Sequence, residues 1–208
     1  MSLESFKGHF FGSPVIEFSM LSFRILKTVF RIGFGFLLVA AVSFLRPNGI
    51  TGICLFFCLT HEFAHLLVMK LSGATVKGIR FYGGGIGISA DTDELSIFRR
   101  FAIYSAGCIS NFLFTVMFYL LGENVFAAIN LSIAVFNFLP VNYFDGGMIL
   151  RLLLPDREKA LEIVSRVTVV MLIVALFASV LTSPLTVSIS QLMTLFVMVV
   201  SELIDREV

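Results

Sequence analysis

Long apolar runs separated by short charged segments make up most of this chain. Residues 101–122 and 124–144 contain no charged side chain, and residues 47–69 contain titratable groups only in one short cluster. Because a membrane-spanning helix needs about 20 mostly apolar residues, each run predicts one span. The uncharged run 167–201 would form a helix of about 52 Å, too long for one crossing. The hydroxyl-rich segment around Pro184 predicts a hairpin that divides this run into two spans.

The first span is the shortest. Only 14 uncharged residues separate Arg31 from Arg46, so the predicted span begins near Val29 and Arg31 extends its side chain towards the interface. The alternative is a signal peptide, because a basic segment precedes an apolar run. That segment is too long for a signal peptide, and no small-residue cleavage site follows the run.

These runs predict an all-α polytopic membrane protein with about six transmembrane helices and a small glycine-rich β-hairpin or loop after the second helix. The predicted spans are 29–45, 49–70, 101–122, 124–148, 161–181 and 186–202. Residues 1–28 are expected to form a cytoplasmic or interfacial N-terminal segment. Residues 29–160 form the predicted core, and residues 161–208 a C-terminal two-helix hairpin with a short tail. No separate soluble domain is expected.

Basic residues lie almost entirely on one side of this topology. Fourteen of the fifteen fall in the N-terminal segment, the second-to-third connection, the fourth-to-fifth connection or the tail, and only Arg46 falls on the opposite side. The positive-inside rule therefore predicts that both termini are cytoplasmic. Where the N-terminal segment meets the first span, Arg24, Lys27 and Arg31 would share one face of an interfacial helix.

The composition agrees with a multi-pass protein of the cell membrane. The chain of 208 residues is 58% hydrophobic and only 14% charged, whereas soluble domains carry about 25% charged residues. The lipid bilayer is therefore an expected partner. The net charge of +1 gives no reason to expect nucleic acid as a partner. All three cysteines lie in apolar runs, which predicts no disulfide framework.

The titratable cluster in the second span is the segment HEFAH, residues 61–65. In a helix, His61 and His65 lie one turn apart, and Glu62 lies about 60° around the axis from His65. Both imidazoles can therefore bind one Zn²⁺ ion while the Glu62 carboxylate acts as a general base towards a water molecule. The alternative is a buried histidine pair without a metal, but titratable groups inside a membrane cost about 2.5 kcal/mol or more each unless they face a cavity or a partner.

Zinc that is held by two histidines needs a third protein ligand. Asp145 is the only acidic residue between Glu123 and Asp156, and it lies about 9 Å inside the cytoplasmic end of the fourth span. The histidines lie at a similar depth, about 13 and 7 Å from the corresponding end of the second span. Pro140 and the glycine pair 146–147 should loosen the fourth span around a cavity. The alternative for Asp145 is a helix-end carboxylate at the interface.

Two cysteines suggest a rival function. Cys54 and Cys58 lie on the same helical face as the histidines, so soft ligands could continue the site in a membrane metal-binding or transport protein. Small cysteines that pack between helices explain the same stripe more simply.

The glycine-rich segment 76–94 lies between the second and third spans. No G-K-[ST] sequence follows its glycines, which argues against a phosphate-binding loop. The flanking apolar residues favour a bent hairpin, whose strand edge could bind an extended peptide as an additional strand. Gly83, Gly84 and Gly85 are the candidate substrate-binding residues of this segment. An interfacial loop with glycines at its turns is the alternative.

Two motifs resemble those of a known family. HEFAH in one span, and N-x-x-P-x-x-x-x-D-G-G from Asn137 in a later one, resemble the site-2 protease family of intramembrane zinc metalloproteases, of the peptidase M50 type. The resemblance covers most of residues 29–160 and is closest to the bacterial branch that processes sporulation sigma-factor precursors. The segment SAGCISNF, residues 105–112, resembles the third-span motif of the family. Asn111 matches that motif, and Cys108 stands where a proline is common.

This resemblance implies a function and a set of site residues. It implies that His61, His65 and Asp145 bind zinc, that Glu62 is catalytic and that Asn137 engages the substrate backbone. The implied activity is that of a zinc metalloendopeptidase cleaving a membrane-associated protein near the cytoplasmic face of the membrane. A transcription-factor precursor or an anti-sigma factor would be such a substrate.

Two positions depart from the family pattern. Asn142 stands where a second proline is frequent, and Met148 follows the glycine pair where a basic residue is usual. Neither residue is a proposed zinc ligand. Because both depart from the family pattern, the way in which the family binds its substrates applies less directly to this protein. A catalytically inactive homologue that binds a membrane partner remains a further alternative to the protease.

Overall fold

Helices occupy most of the described apolar runs. The computed structural model describes residues 19–25, 28–45, 49–82, 85–92, 94–142 and 144–182. Its helices are α1 (Phe34–Leu45), α2 (Ile50–Ser72), α3 (Ile97–Leu120), α4 (Asn124–Asn137), α5 (Asp145–Leu153) and α6 (Glu158–Thr182), with a 3-10 turn at Pro155–Arg157. Among the described residues, the segments Gly52–Ser72 of α2 and Ile97–Leu120 of α3 are long and apolar enough to cross a membrane.

Helix α3 lies at the centre of the helical part and packs against α2, α4 and α5. Its buried face carries the small residues Ser105, Ala106 and Gly107, which allow neighbouring helices to approach closely. Three of the five largest fully buried side chains in the described protein are polar, namely Asn111, Asn130 and Ser165. Large apolar side chains lie on the outside of the same helices. An apolar exterior around buried polar side chains is what a protein surrounded by lipid requires.

A four-stranded sheet packs beside the helices. Its strands are β1 (Ser19–Ile25), β2 (Thr28–Gly33), β3 (Thr75–Tyr82) and β4 (Gly85–Asp91), in the order β1-β2-β3-β4. The β1–β2 and β3–β4 pairs are antiparallel, and β2 and β3 are parallel. Helix α2 is followed by Gly73, whose left-handed backbone (φ 82°) lets the chain turn into β3. The protein is mostly helical with a small sheet, as predicted in outline, but the sheet has four strands and includes β1 and β2 besides the predicted hairpin.

The N-terminal part differs most from prediction. The described residues of the segment expected to form an interfacial helix form β1 instead, and Arg24 lies opposite Val29 of β2. Arg31 lies in β2 beside Arg80 of β3 and is exposed, so it is not a snorkelling residue of a helix. Phe30 of β2 stacks on Phe23 of β1 at 5.3 Å between ring centroids.

The predicted first and fourth spans are therefore not continuous helices. Helix α1 has 12 residues, a length of about 18 Å, which is shorter than the hydrocarbon core of about 30 Å. In the fourth span, α4 ends at Asn137 and α5 begins at Asp145, so the predicted loosening is a complete break in the helix. Helix α6 covers the predicted fifth span, and the predicted sixth span lies outside the described residues. The number of crossings and the cytoplasmic location of the termini stay predictions.

Candidate metal and catalytic centre

His61 and His65 face the interior of the protein from successive turns of α2. Their side chains are almost completely buried, and their rings lie 4.9 Å apart in an edge-to-face arrangement. The two Nε2 atoms are 3.3 Å apart. The spacing of four residues in a regular helix thus gives the convergence of the two imidazoles that the sequence predicts.

The other ring nitrogen of each histidine contacts α3. His65 Nδ1 lies 2.7 Å from the backbone carbonyl oxygen of Ile103, and His61 Nδ1 lies 2.7 Å from the side-chain oxygen of Asn111. A carbonyl oxygen can only accept a hydrogen bond, so His65 donates from Nδ1, and Nε2 of the neutral ring keeps its lone pair. Such contacts orient histidine ligands and fix their tautomers at metal sites.

Asp145 completes the cluster from the first turn of α5. Its Oδ2 atom lies 3.2 Å from both Nε2 atoms. The two glycines after Asp145 make this position possible, because a Cβ atom on Gly146 would overlap with the backbone carbonyl of Phe138 and one on Gly147 with that of Val141. The start of α5 therefore packs directly against the backbone of the break that follows α4.

The three side chains fit a zinc ion. A tetrahedral Zn²⁺ with ligand bonds of about 2.0–2.1 Å holds its ligand atoms about 3.3 Å apart, and the three contacts in this cluster measure 3.2–3.3 Å. Two imidazole nitrogens and a carboxylate oxygen are also a donor set that zinc prefers. His61, His65 and Asp145 form a group that could hold a metal ion. Neutral histidines would leave three acceptors facing one another, and a cation satisfies all three.

Gly107 of α3 keeps the space beside this group open. A Cβ atom at position 107 would overlap with Nε2 of both His61 and His65. Only a glycine therefore lets α3 pass the ligand atoms at this distance. Sequence reasoning missed this residue, although it lies in the SAGCISNF segment, because its importance depends on how α2 and α3 pack.

Glu62 lies beside the cluster without belonging to the ligand group. Its side chain is half-buried, and its carboxylate is near enough to interact electrostatically with both histidines and with Asp145. A carboxylate this close to three metal-ligating groups can accept a proton from a water molecule in the site. The catalytic role of Glu62 stays a prediction.

A comparison of the sequence with family models and a comparison of the structure with solved structures each find a protease. Residues 123–177 match the family model described as Peptidase family M50. The structure is similar to that of the Site-2 Protease from Methanocaldococcus jannaschii, with a TM-score of 0.61 and 18% sequence identity, over 85% of this chain and 92% of that chain. No curated protein matches this sequence significantly.

The resemblance to the site-2 protease family is confirmed. The sequence match includes Asp145 but not the two histidines, and the structural similarity shows a shared fold across most of the chain. The closer resemblance to the sporulation branch stays a prediction. In this fold, the packing of α2, α3 and α5 brings the HEFAH segment and the D-G-G segment to one place.

Two of the predicted substrate-binding residues, Asn137 and Gly85, lie in the described part of the chain. Asn137 is the last residue of α4 and is half-buried, and its Nδ2 donates to the backbone oxygen of Ile133 in the same helix at 3.0 Å. Gly85 begins β4 and pairs with Tyr82 of β3. Gly83 and Gly84 lie outside the described residues. The substrate roles of all four residues stay predictions.

The cysteines divide into two groups. Cys54 is half-buried and Cys58 is exposed, and neither belongs to the metal-ligand group of the described chain. Cys108, in contrast, is buried, and its Sγ atom lies 3.4 Å from Asp145 Oδ2 and 3.7 Å from the backbone oxygen of Ala134. The residue that replaces the proline common in the family therefore touches a proposed zinc ligand.

Proposed function

We propose that this protein is an intramembrane zinc metalloendopeptidase that cleaves a membrane-associated protein. One observation carries the proposal: His61, His65 and Asp145 converge within 3.2–3.3 Å in the buried interior of apolar helices, with Glu62 beside them. The match to Peptidase family M50 and the fold shared with a site-2 protease support it.

Each residue of the centre has a distinct task in this proposal. His61, His65 and Asp145 would hold Zn²⁺, which when bound supplies a Lewis acid that makes water more acidic and polarises a carbonyl group. Glu62 accepts the proton of the attacking water and then donates it to the nitrogen of the leaving amine. The hydrogen bonds that His65 Nδ1 donates to Ile103 and His61 Nδ1 donates to Asn111 keep the histidine rings aimed at the centre while this happens.

The sheet supports a proposal for substrate binding. β4 is an edge strand of the described sheet and packs against α2, which carries the histidines. An extended peptide could add to this edge as a further strand and so bring an unwound segment to the centre. The membrane-associated substrate, of which a transcription-factor precursor or an anti-sigma factor is one class, is part of this proposal.

The rival metal-transport function gains no support from the structure. Its argument depends on a continuous stripe of ligands along α2, yet Cys58 is exposed whereas His61 and His65 are buried. The inactive homologue remains the relevant competitor, because it would have the same fold and the same ligands without hydrolysis.

Co-expression tests the proposed function against that competitor. The wild-type protein, Glu62→Gln and His65→Phe are each expressed with candidate single-span membrane proteins, and the products are separated by size. The proposal expects cleavage by the wild-type protein alone. Binding of the same partner by wild type and Glu62→Gln, without cleavage by either, would favour the inactive homologue.

The orientation in the membrane is tested separately with reporter fusions. We expect cytoplasmic signals after Thr75 and after Asp156, and external signals near Asn48 and Glu123, because basic residues flank the first two positions. A cytoplasmic signal at Glu123 would contradict the proposed topology and place the centre near the other membrane surface.

A further inference from the structure

A buried chain of side-chain amides runs from His61 to the backbone of α4. His61 Nδ1 lies 2.7 Å from Asn111 Oδ1, and Asn111 Nδ2 donates to Asn130 Oδ1 at 2.9 Å. Asn130 Nδ2 in turn donates to the backbone oxygen of Phe126 at 2.9 Å. Both asparagine side chains have a solvent exposure of 0%. The chain therefore links α2, α3 and α4 without passing through the ligand atoms.

The far end of this chain fixes the direction of every hydrogen bond in it. The oxygen of Phe126 can only accept, so Asn130 must turn its amide nitrogen towards it and its oxygen towards Asn111. Asn111 then donates to Asn130 and is left with its oxygen facing His61. A reversed Asn111 would place two amide oxygens against each other, at a distance where they repel. His61 must consequently donate from Nδ1.

We propose that Asn130 and Asn111 form a positioning relay that holds His61 in the Nδ1–H tautomer and so keeps the lone pair of Nε2 directed at the metal. His65 gains the same tautomer directly from the backbone oxygen of Ile103. The two histidine ligands are thus fixed by different means, one by a backbone carbonyl and one by two amides in series. This inference rests on the metal site of the proposed function but not on peptide-bond hydrolysis.

Asn130 is the informative position, because its side chain is hydrogen-bonded to Asn111 and Phe126, neither of which is a metal ligand. Two variants separate a relay from simple packing. Asn130→Leu has a similar volume but removes the acceptor that orients Asn111. Asn130→Asp keeps an acceptor for Asn111, and its protonated form also keeps a donor for Phe126. A packing role predicts that the aspartate is the more harmful change in this apolar interior, whereas the relay predicts the opposite.

The experiment measures Zn²⁺ affinity by competition with a chromophoric chelator on purified full-length variants. The relay predicts a loss of about 10–100-fold for Asn130→Leu, the usual range for residues that orient metal ligands, and a recovery of most of that affinity in Asn130→Asp. Asn111→Ala should lose at least as much as Asn130→Leu. The double variant Asn111→Ala/Asn130→Leu should lose no more than Asn111→Ala alone, because Asn130 acts only through Asn111.

Ser105→Ala is the matched control. Ser105 is buried on α3 and its hydroxyl donates within its own helix, 2.8 Å from the oxygen of Phe101, so its removal should leave zinc affinity unchanged. Wild-type affinity in Asn130→Leu would overturn the relay. Equal losses in Asn130→Leu and Asn130→Asp, or additive losses in the double variant, would also overturn it.

A second readout does not require the metal. The chain has three histidines, so the ¹⁵N resonances of metal-free protein labelled on histidine can be assigned with a His61→Gln variant. The relay predicts the Nδ1–H tautomer for His61 in the wild type and its loss in Asn130→Leu. An Nε2–H tautomer in the wild type overturns the relay. A wild-type protein that binds no zinc would contradict the proposed function, and the resonance of His61 would still decide the relay.

Discussion

The two sides of the metal centre are built from different kinds of backbone. His61 and His65 lie on the uninterrupted helix α2, where the helical repeat alone places their rings together. Asp145 lies at the start of α5, directly after the break that separates α4 from α5. Its position depends on contacts between Gly146, Gly147 and the backbone of that break.

Because of this difference, the two sides of the metal centre are sensitive to different substitutions. The histidine side needs only a helix and a neighbouring surface that leaves room for the rings, which α3 provides at Gly107. The aspartate side needs a specific packing of non-helical backbone, to which α6 also contributes, because the backbone nitrogen of Asn142 donates to Ser165 Oγ at 3.0 Å. A glycine-to-alanine substitution, which adds one methyl group, can therefore disrupt the geometry of one side without changing the other.

The largest effect is expected for Gly107→Ala, which changes the space around the two histidine ligands. The added Cβ atom would overlap with Nε2 of both ligands, so it competes with the metal for the same space. We expect zinc in the purified protein to fall to background, measured by atomic emission, while circular dichroism shows a helix content close to that of the wild type. Full zinc occupancy in this variant would mean that α3 lies farther from the ligands than the structure shows.

Gly147→Ala is expected to displace the aspartate ligand. The new methyl group would overlap with the carbonyl of Val141, and because backbone cannot rotate away, the start of α5 must shift and move Asp145. The two histidines remain, so we expect an affinity loss of at least about 100-fold, at or beyond the upper end of the range for residues around metal ligands. Chelator competition measures it, with Met148→Ala as the control that adds no atom. A loss in Met148→Ala as large as in Gly147→Ala would contradict the explanation.

A smaller effect is expected for Cys108→Ala. The thiol is a weak donor at 3.4 Å from Asp145 Oδ2, so its removal should weaken zinc binding by less than about tenfold, below the usual range for residues that orient ligands. Cys58→Ala should leave the affinity unchanged, because Cys58 is exposed. If Cys58→Ala loses zinc and Asp145→Ala retains it, the stripe of cysteines and histidines along α2 would be the metal site instead.

The same contrast explains which features the sequence could predict. The HEFAH segment predicts its own geometry, because residues four apart in a helix share a face. The D-G-G segment identifies Asp145 through its motif and depth, but the complete break after Asn137 and the reason for both glycines depend on packing against distant backbone. Gly107 and Asn130 belong to the same class, since a glycine or asparagine in an apolar helix has no local signature of its role.

The N-terminal strands were mispredicted for another reason. Arg24, Lys27 and Arg31 fit a helical face, and the run after Arg31 fits the start of a span, so both patterns favoured helix. Strand β2 forms because β3, about 50 residues later in the chain, provides a parallel partner. Such non-local pairing decides between a short strand and a helix end where local periodicity is ambiguous.

We propose that the histidine and aspartate sides together hold a metal ion for a protease whose general base is Glu62. The activity of Glu62→Gln tests this most directly. The substitution preserves shape and removes no ligand, so zinc content should match that of the wild type. General-base catalysis is typically worth 10²–10⁴-fold in rate, and cleavage of a purified substrate should fall by at least about 100-fold, with uncleaved substrate still co-purifying. His65→Phe should also stop cleavage, but with loss of zinc. Cleavage by zinc-loaded Glu62→Gln at the wild-type rate would contradict the account.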